Sequence, residues 1–203
     1  DSPVDAFVTC IRENRPYPKA EFPLFNYYRD FQSFLWRDDD HHEWSDLILN
    51  TILRERMTTI MGPKDSSKTH SLAKFALIDY ACFPNETLIL MSSTDVRGLE
   101  LRVWGDLKDL LMRAKEHWPS IPGYAVDSLH GIFTQKLDDN NDVRDIRKGI
   151  LCIPCVESSG EWKGLEKYTG IKQKRRRLLG DEVQFMRDPY LTSLANLNKG
   201  DFK

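Results

Sequence analysis

Long apolar runs are missing from this chain. Nothing approaches the roughly 18 consecutive apolar residues needed to span a bilayer, and no basic stretch followed by a short apolar core marks a signal peptide. A soluble globular protein with no membrane partner is therefore expected. An excess of charge of either sign is missing too: the net charge is −2, so any contact with nucleic acid has to come from local patches. Cysteine is scarce, at four residues, Cys10, Cys82, Cys152 and Cys155. A Cys10–Cys82 pairing stays open, but there is no disulfide framework, and a reducing compartment is expected. Cys152 and Cys155 form a C-x-x-C. Zinc would need a second ligand pair at suitable spacing, and none is present. The pair lies in the apolar run 150–156, so a buried strand is the better reading.

Its 203 residues allow one large domain or a domain with an added lobe. The most informative stretch is Thr58-Thr59-Ile60-Met61-Gly62-Pro63-Lys64-Asp65-Ser66-Ser67-Lys68-Thr69. It joins a short apolar run to a helical run through a loop ending in Lys-Thr, the order of parts in a phosphate-binding loop. There, backbone N–H groups and a helix N-terminus converge on an anion, the lysine reaches the β- and γ-phosphates, and the hydroxyl ligates Mg²⁺. Gly62, Lys68 and Thr69 fit G-x-x-x-x-G-K-[ST], whereas Ser67 stands where the second glycine belongs. Ser67 implies a differently bent loop or accepted strain, since serine does not tolerate positive φ freely. A polar turn ahead of a helix is the plainer alternative.

Taken in order, residues 1–40 hold Pro16, Pro18 and Pro23 and then Phe25, Tyr27, Tyr28, Phe31, Phe34 and Trp36. This reads as an irregular arm followed by a short helix packed on something larger. The acidic and histidine-bearing run 37–43 reads as a solvated turn at a helix start rather than a metal site. Trp44, Leu47, Ile48, Ile52 and Leu53 recur at helical spacing, and a strand is expected over Met57–Met61. His70–Ala81 is apolar on nearly every side and predicts a buried helix. Thr87–Met91 is a continuous apolar run suited to a parallel strand covered on both faces. Strand, loop, helix and strand together predict a right-handed βαβ unit. A helix capped by Thr94 should run to Trp118 with Val96, Leu99, Val103, Leu107, Leu110, Leu111, Ala114 and Trp118 on its core face. Residues 119–148 predict an exposed hairpin or loop insertion.

A second site lies near the end. Gly160–Gly170 is polar and glycine-bearing, residues 172–177 are strongly basic, and Leu178-Leu179-Gly180-Asp181-Glu182 follows. A short apolar run ending in Asp-Glu suits the second nucleotide motif: the aspartate holds the metal's water shell and the glutamate polarises the attacking water. Alone, this motif is weak. After a phosphate loop in the right order it gains force. Asp188-Pro189 should then cap another helix bearing Tyr190, Leu191, Leu194 and Leu197.

From about Glu43 to Asn198 these residues resemble the ATPase motor domain of the phage terminase large subunit. The likeness rests on the G-P-[KR]-x-x-x-K-T loop, on the strand and long helix of Thr87–Leu111 with Trp104, and on the glycine-and-basic stretch leading into Leu-Leu-Gly-Asp-Glu. It implies an α/β P-loop NTPase of RecA-like type, a mainly parallel sheet flanked by helices, with an N-terminal helical or irregular arm over 1–42 and an ATPase core over 43–203. It implies ATP and Mg²⁺ as cofactors. Gly62, Pro63, Lys64, Asp65, Ser66, Ser67, Lys68, Thr69 and His70 would lie at the nucleotide, Thr69 and Asp181 at the metal. Lys68 would be the catalytic lysine and Glu182 the base, with Arg175 or Arg176 reaching a neighbouring subunit's nucleotide; Arg177 and Lys172 stand beside them. A solvated basic loop or DNA-contacting patch holds equal weight for that run. The partners implied are double-stranded DNA, a portal protein and a small terminase subunit, in a homo-oligomeric ring on the procapsid in the host cytoplasm. No nuclease segment follows in this chain, so an isolated ATPase region is expected and DNA cleavage is not assigned. A helicase or other P-loop ATPase, and a degenerate nucleotide-binding module, remain as alternatives.

Overall fold

The computed structural model describes residues 2–37, 42–55, 58–62, 66–135, 145–154, 157–158, 161–162, 173–183 and 186. The chain divides into two compact units, one of Asp1–Phe83 with Leu107–Ile121 and one of Pro84–Asp106 with Pro122–Lys203. Each is described by itself.

The first unit is helical: α1 (Pro3–Glu13), α2 (Pro23–Leu35), α3 (Glu43–Arg54) and α4 (Lys68–Cys82). The N-terminal residues are thus more regular than an irregular arm. Ser2 caps α1 by accepting a bond from the Asp5 N–H while the Asp5 carboxylate accepts one from the Ser2 N–H, and Asn14 ends the helix in the left-handed region. Pro23 occupies the first turn of α2, where its missing N–H loses nothing. The aromatic residues do pack on a larger body. Phe31 stacks on Phe7 and lies 5.6 Å from the Trp118 ring, and the Trp36 indole N–H donates to the Leu110 carbonyl at 2.9 Å.

Helix α4 is the centre of this unit. Every residue from Leu72 to Cys82 is buried, as its all-round apolar character predicts. Two polar residues in it find partners: Asp79 accepts from the Tyr28 hydroxyl at 3.0 Å, and the Lys74 ammonium lies over the Trp36 ring. The expected strand over Met57–Met61 is not formed. Residues 58–61 have no regular structure, Met61 is 88% exposed, and Met57 lies outside the described residues. An apolar run becomes a strand only where a neighbour supplies a ladder, and no such pairing exists here among the described residues. The βαβ unit expected around the loop is accordingly absent among them.

The second unit is a five-stranded mixed sheet in the order β2-β3-β4-β1-β7, built from β1 (Thr87–Ser93), β2 (Tyr124–Val126), β3 (Gly131–Phe133), β4 (Gly149–Pro154) and β7 (Arg175–Gly180). Two short strands, β5 (Glu157–Ser158) and β6 (Glu161–Trp162), pair separately. Strand β1 is an interior strand, parallel to both β4 and β7 and buried along its whole length, as its uninterrupted apolar run predicts. Cys152 is buried in β4, and burial pushes its thiol pKa up, in line with a structural role; Cys155 lies outside the described residues. The hairpin β2–β3 turns at His130, which lies in the left-handed region, and β3 pairs antiparallel with β4. The charged run 138–142 lies outside the described residues, as does the helix expected from Asp188.

Two further expectations are corrected. The end of the basic run is no loop: Arg175, Arg176 and Arg177 lie within β7, half-buried, in register with Thr87, Leu88 and Ile89. Half-buried strand positions suit arginine because its aliphatic stem covers apolar surface while the end of the guanidinium reaches towards water; the Arg175 Nε is itself buried. The helix expected from Thr94 is capped by Asp95 instead and runs in three stretches, α5 (Val96–Gly98), a π-helical segment (Leu99–Trp104) and α6 (Gly105–His117). Val96 is exposed, whereas Leu99, Val103, Leu107, Leu110, Leu111 and Ala114 are buried as the spacing predicts. No helix among the described residues is long and apolar enough to cross a membrane.

Candidate functional site

The sequence-derived residues fall into two groups. In the first unit the loop residues meet at the start of α4. Lys68 is the first residue of that helix, and its ammonium folds back to donate to the Gly62 carbonyl and the Ser66 hydroxyl, both at 3.0 Å. Thr69 and His70 complete the first turn, half-buried. Ser67, the cap residue, adopts φ 56°, ψ 22° and makes no side-chain capping bond. Strain is therefore the option taken at the position where the motif places glycine, since a left-handed conformation brings Cβ against the following carbonyl. Pro63, Lys64 and Asp65 lie outside the described residues.

The electrostatics of this helix start are lopsided. The first turn of α4 carries Lys68 and no acidic residue, although unsatisfied N–H groups already give a helix N-terminus positive character. A cation at that end gains from an anion close by. Beside it runs an open groove of about 180 Å³ whose lining includes Trp44, Leu47, Thr51, Ile60, Met61 and Lys68. Trp44 is 60% exposed there. The spacing of Trp44 and Leu47 identified the helix but not this groove, because helical periodicity does not say which apolar residues are left uncovered.

In the second unit, Asp181 and Glu182 sit at the carboxyl ends of parallel strands, where α/β sheets place their ligand crevices. The Asp181 N–H donates to the Ser92 carbonyl at 2.8 Å, continuing the β1–β7 ladder by one bond, and the Asp181 side chain is buried. Glu182 then turns sharply, at φ 57°. Its carboxylate lies 3.5 Å from the Arg102 guanidinium, which in turn is 3.5 Å from the Ser93 hydroxyl. Asp95 accepts a 2.7 Å bond from the Gly98 N–H, and this bond holds its carboxyl below the usual range. Arg102, Ser93 and Gly98 are participants that sequence reasoning missed. The available signal was weak: a glycine one helical turn before an arginine, just after a strand.

Of the basic candidates, Arg175 and Arg177 alternate with Arg176 across the pleat of β7, and Lys172 lies outside the described residues. Among the described residues no cluster of three or more His, Cys, Asp or Glu side chains is placed to hold a metal ion. The oxygen donors expected for Mg²⁺, the Thr69 hydroxyl and the Asp181 carboxylate, are of the right chemical type. Mg²⁺ commonly takes only one or two protein carboxylates, completing its shell with phosphate and water. Compared with family models, with curated proteins and with solved structures, the chain matches none.

Proposed function

We propose that this chain is the ATPase motor region of a DNA-packaging terminase large subunit, hydrolysing ATP to drive double-stranded DNA into a procapsid. Its partners in this reading are the DNA, a portal protein, a small terminase subunit and further copies of itself in a ring, in the host cytoplasm. The observation that carries the reading is the ammonium of Lys68, held at the cationic end of a buried helix with no acidic residue in the first turn and leaning on a loop carbonyl. On arrival of a polyphosphate the ammonium exchanges the Gly62 carbonyl for phosphate oxygens, and loop and helix N–H groups share the charge.

Glu182 takes the role of base, orienting the attacking water; Thr69 in the first unit and Asp181 in the second are each of the oxygen-donor type that Mg²⁺ takes, and the ion would neutralise charge on the phosphates. The apolar groove with Trp44 gives the base of a nucleotide a face to stack on. Arg175 and Arg176 are the residues assigned to charge stabilisation on a neighbouring copy's nucleotide.

Calorimetric titration with Mg·ATP tests the reading. The chain binds, Lys68→Ala does not, and Glu182→Gln binds without hydrolysing. Absence of any heat of binding to the unaltered chain turns the loop into a degenerate module, and unimpaired turnover by Glu182→Gln removes the assigned base.

A further inference from the structure

Glu182 is held from outside its own strand. Its backbone occupies the left-handed region, which a residue with a Cβ visits at a cost of about 1–2 kcal/mol, so the turn that aims its side chain is imposed by its surroundings. The carboxylate so aimed meets Arg102, which belongs to the π-helical segment Leu99–Trp104. A π-helical stretch inserts backbone into an otherwise regular helix and rotates the residues beyond it, a device that recurs at functional sites. The guanidinium also touches Ser93 at the end of β1. Gly98 makes room for it: a Cβ at that position would come within 2.5 Å of Arg102 Nη2 and 3.1 Å of the Asp95 carboxylate. Arginine suits this post because its planar fork reaches two acceptors in fixed directions.

We infer that Arg102 is a positioning residue for the Glu182 carboxylate, held in place by Ser93 and admitted by the missing side chain of Gly98. This rests on Glu182 acting on the water in the proposed hydrolysis. Arg102 is 44% and Glu182 31% exposed at the side chain, so the pair adds little to folding stability. Its effect is geometric: it fixes where a flexible glutamate points, which matters for turnover far more than for affinity.

The test is hydrolysis by the full chain under single-turnover and steady-state conditions, with Mg·ATP binding measured separately. Arg102→Ala is expected to lower kcat about tenfold with KM and ATP affinity within twofold, and Arg102→Lys to restore part of the loss. Gly98→Ala, which pushes the guanidinium aside, should reproduce the Arg102→Ala phenotype. An unchanged or raised kcat in a correctly folded Arg102→Ala overturns the inference, as does a loss that falls on KM or ATP affinity and leaves kcat alone. The two readings fail separately: turnover that needs Glu182 but ignores Arg102 sinks this inference alone, whereas a chain that turns over no ATP takes the proposed function down with it.

Discussion

Replacing Ser67 by glycine should make the protein more stable. At φ 56° serine carries the left-handed penalty of about 1–2 kcal/mol, and glycine removes it. Against that gain, glycine frees the unfolded chain, which costs about 0.4–1 kcal/mol. No capping bond is lost, because the Ser67 side chain makes none. The difference is a net stabilisation of about 0.5–1 kcal/mol, which for a chain of this size raises Tm by about 1–4 °C. Thermal unfolding followed by circular dichroism measures it, with Ser67→Ala as the comparator. Alanine keeps the penalty and should leave Tm within a degree of the parent. If Ser67→Gly melts below the parent while Ser67→Ala does not, the conformational argument is wrong; if both melt below it, the hydroxyl has a stabilising partner after all.

The same change at two buried tyrosines should have opposite signs. Tyr28→Phe deprives the fully buried Asp79 carboxylate of a donor and should destabilise by about 1.5–3 kcal/mol. The Tyr80 hydroxyl is fully buried with no hydrogen bond among the described residues, and burial drives its pKa upward. Tyr80→Phe should therefore be neutral or stabilising by about 1 kcal/mol, as denaturant midpoints will show. At Gly149 a Cβ would lie 2.3 Å from the Ile132 carbonyl, backbone that cannot step aside, so Gly149→Ala should cut the yield of folded protein sharply, read by size-exclusion chromatography.

The buried elements were legible because their residues need no partner to declare themselves. Helix α4 is apolar all round, and strands β1 and β4 are apolar runs of strand length bounded by turn residues, which is how segments covered on both faces look. Elements defined by pairing were not legible. Ile60 and Met61 look like a strand end, but a ladder depends on which segment lies alongside, and sequence says nothing of that. Arg175–Arg177 look like a solvated run, yet pairing with Thr87–Ile89 carries them into the sheet. The site divides the same way. Lys68 and Ser66 are neighbours along the chain and were found from the motif, whereas Arg102 reaches Glu182 only through the fold.

The left-handed turn at Glu182 separates two kinds of fitness. A library randomised at that codon and sorted only for soluble, well-behaved protein should drift towards glycine and asparagine, the residues at ease with such a turn. Sorted instead for the proposed hydrolysis of ATP, it should return to glutamate. A position where the two sorts disagree is one where the chain tolerates discomfort in order to keep a particular functional group.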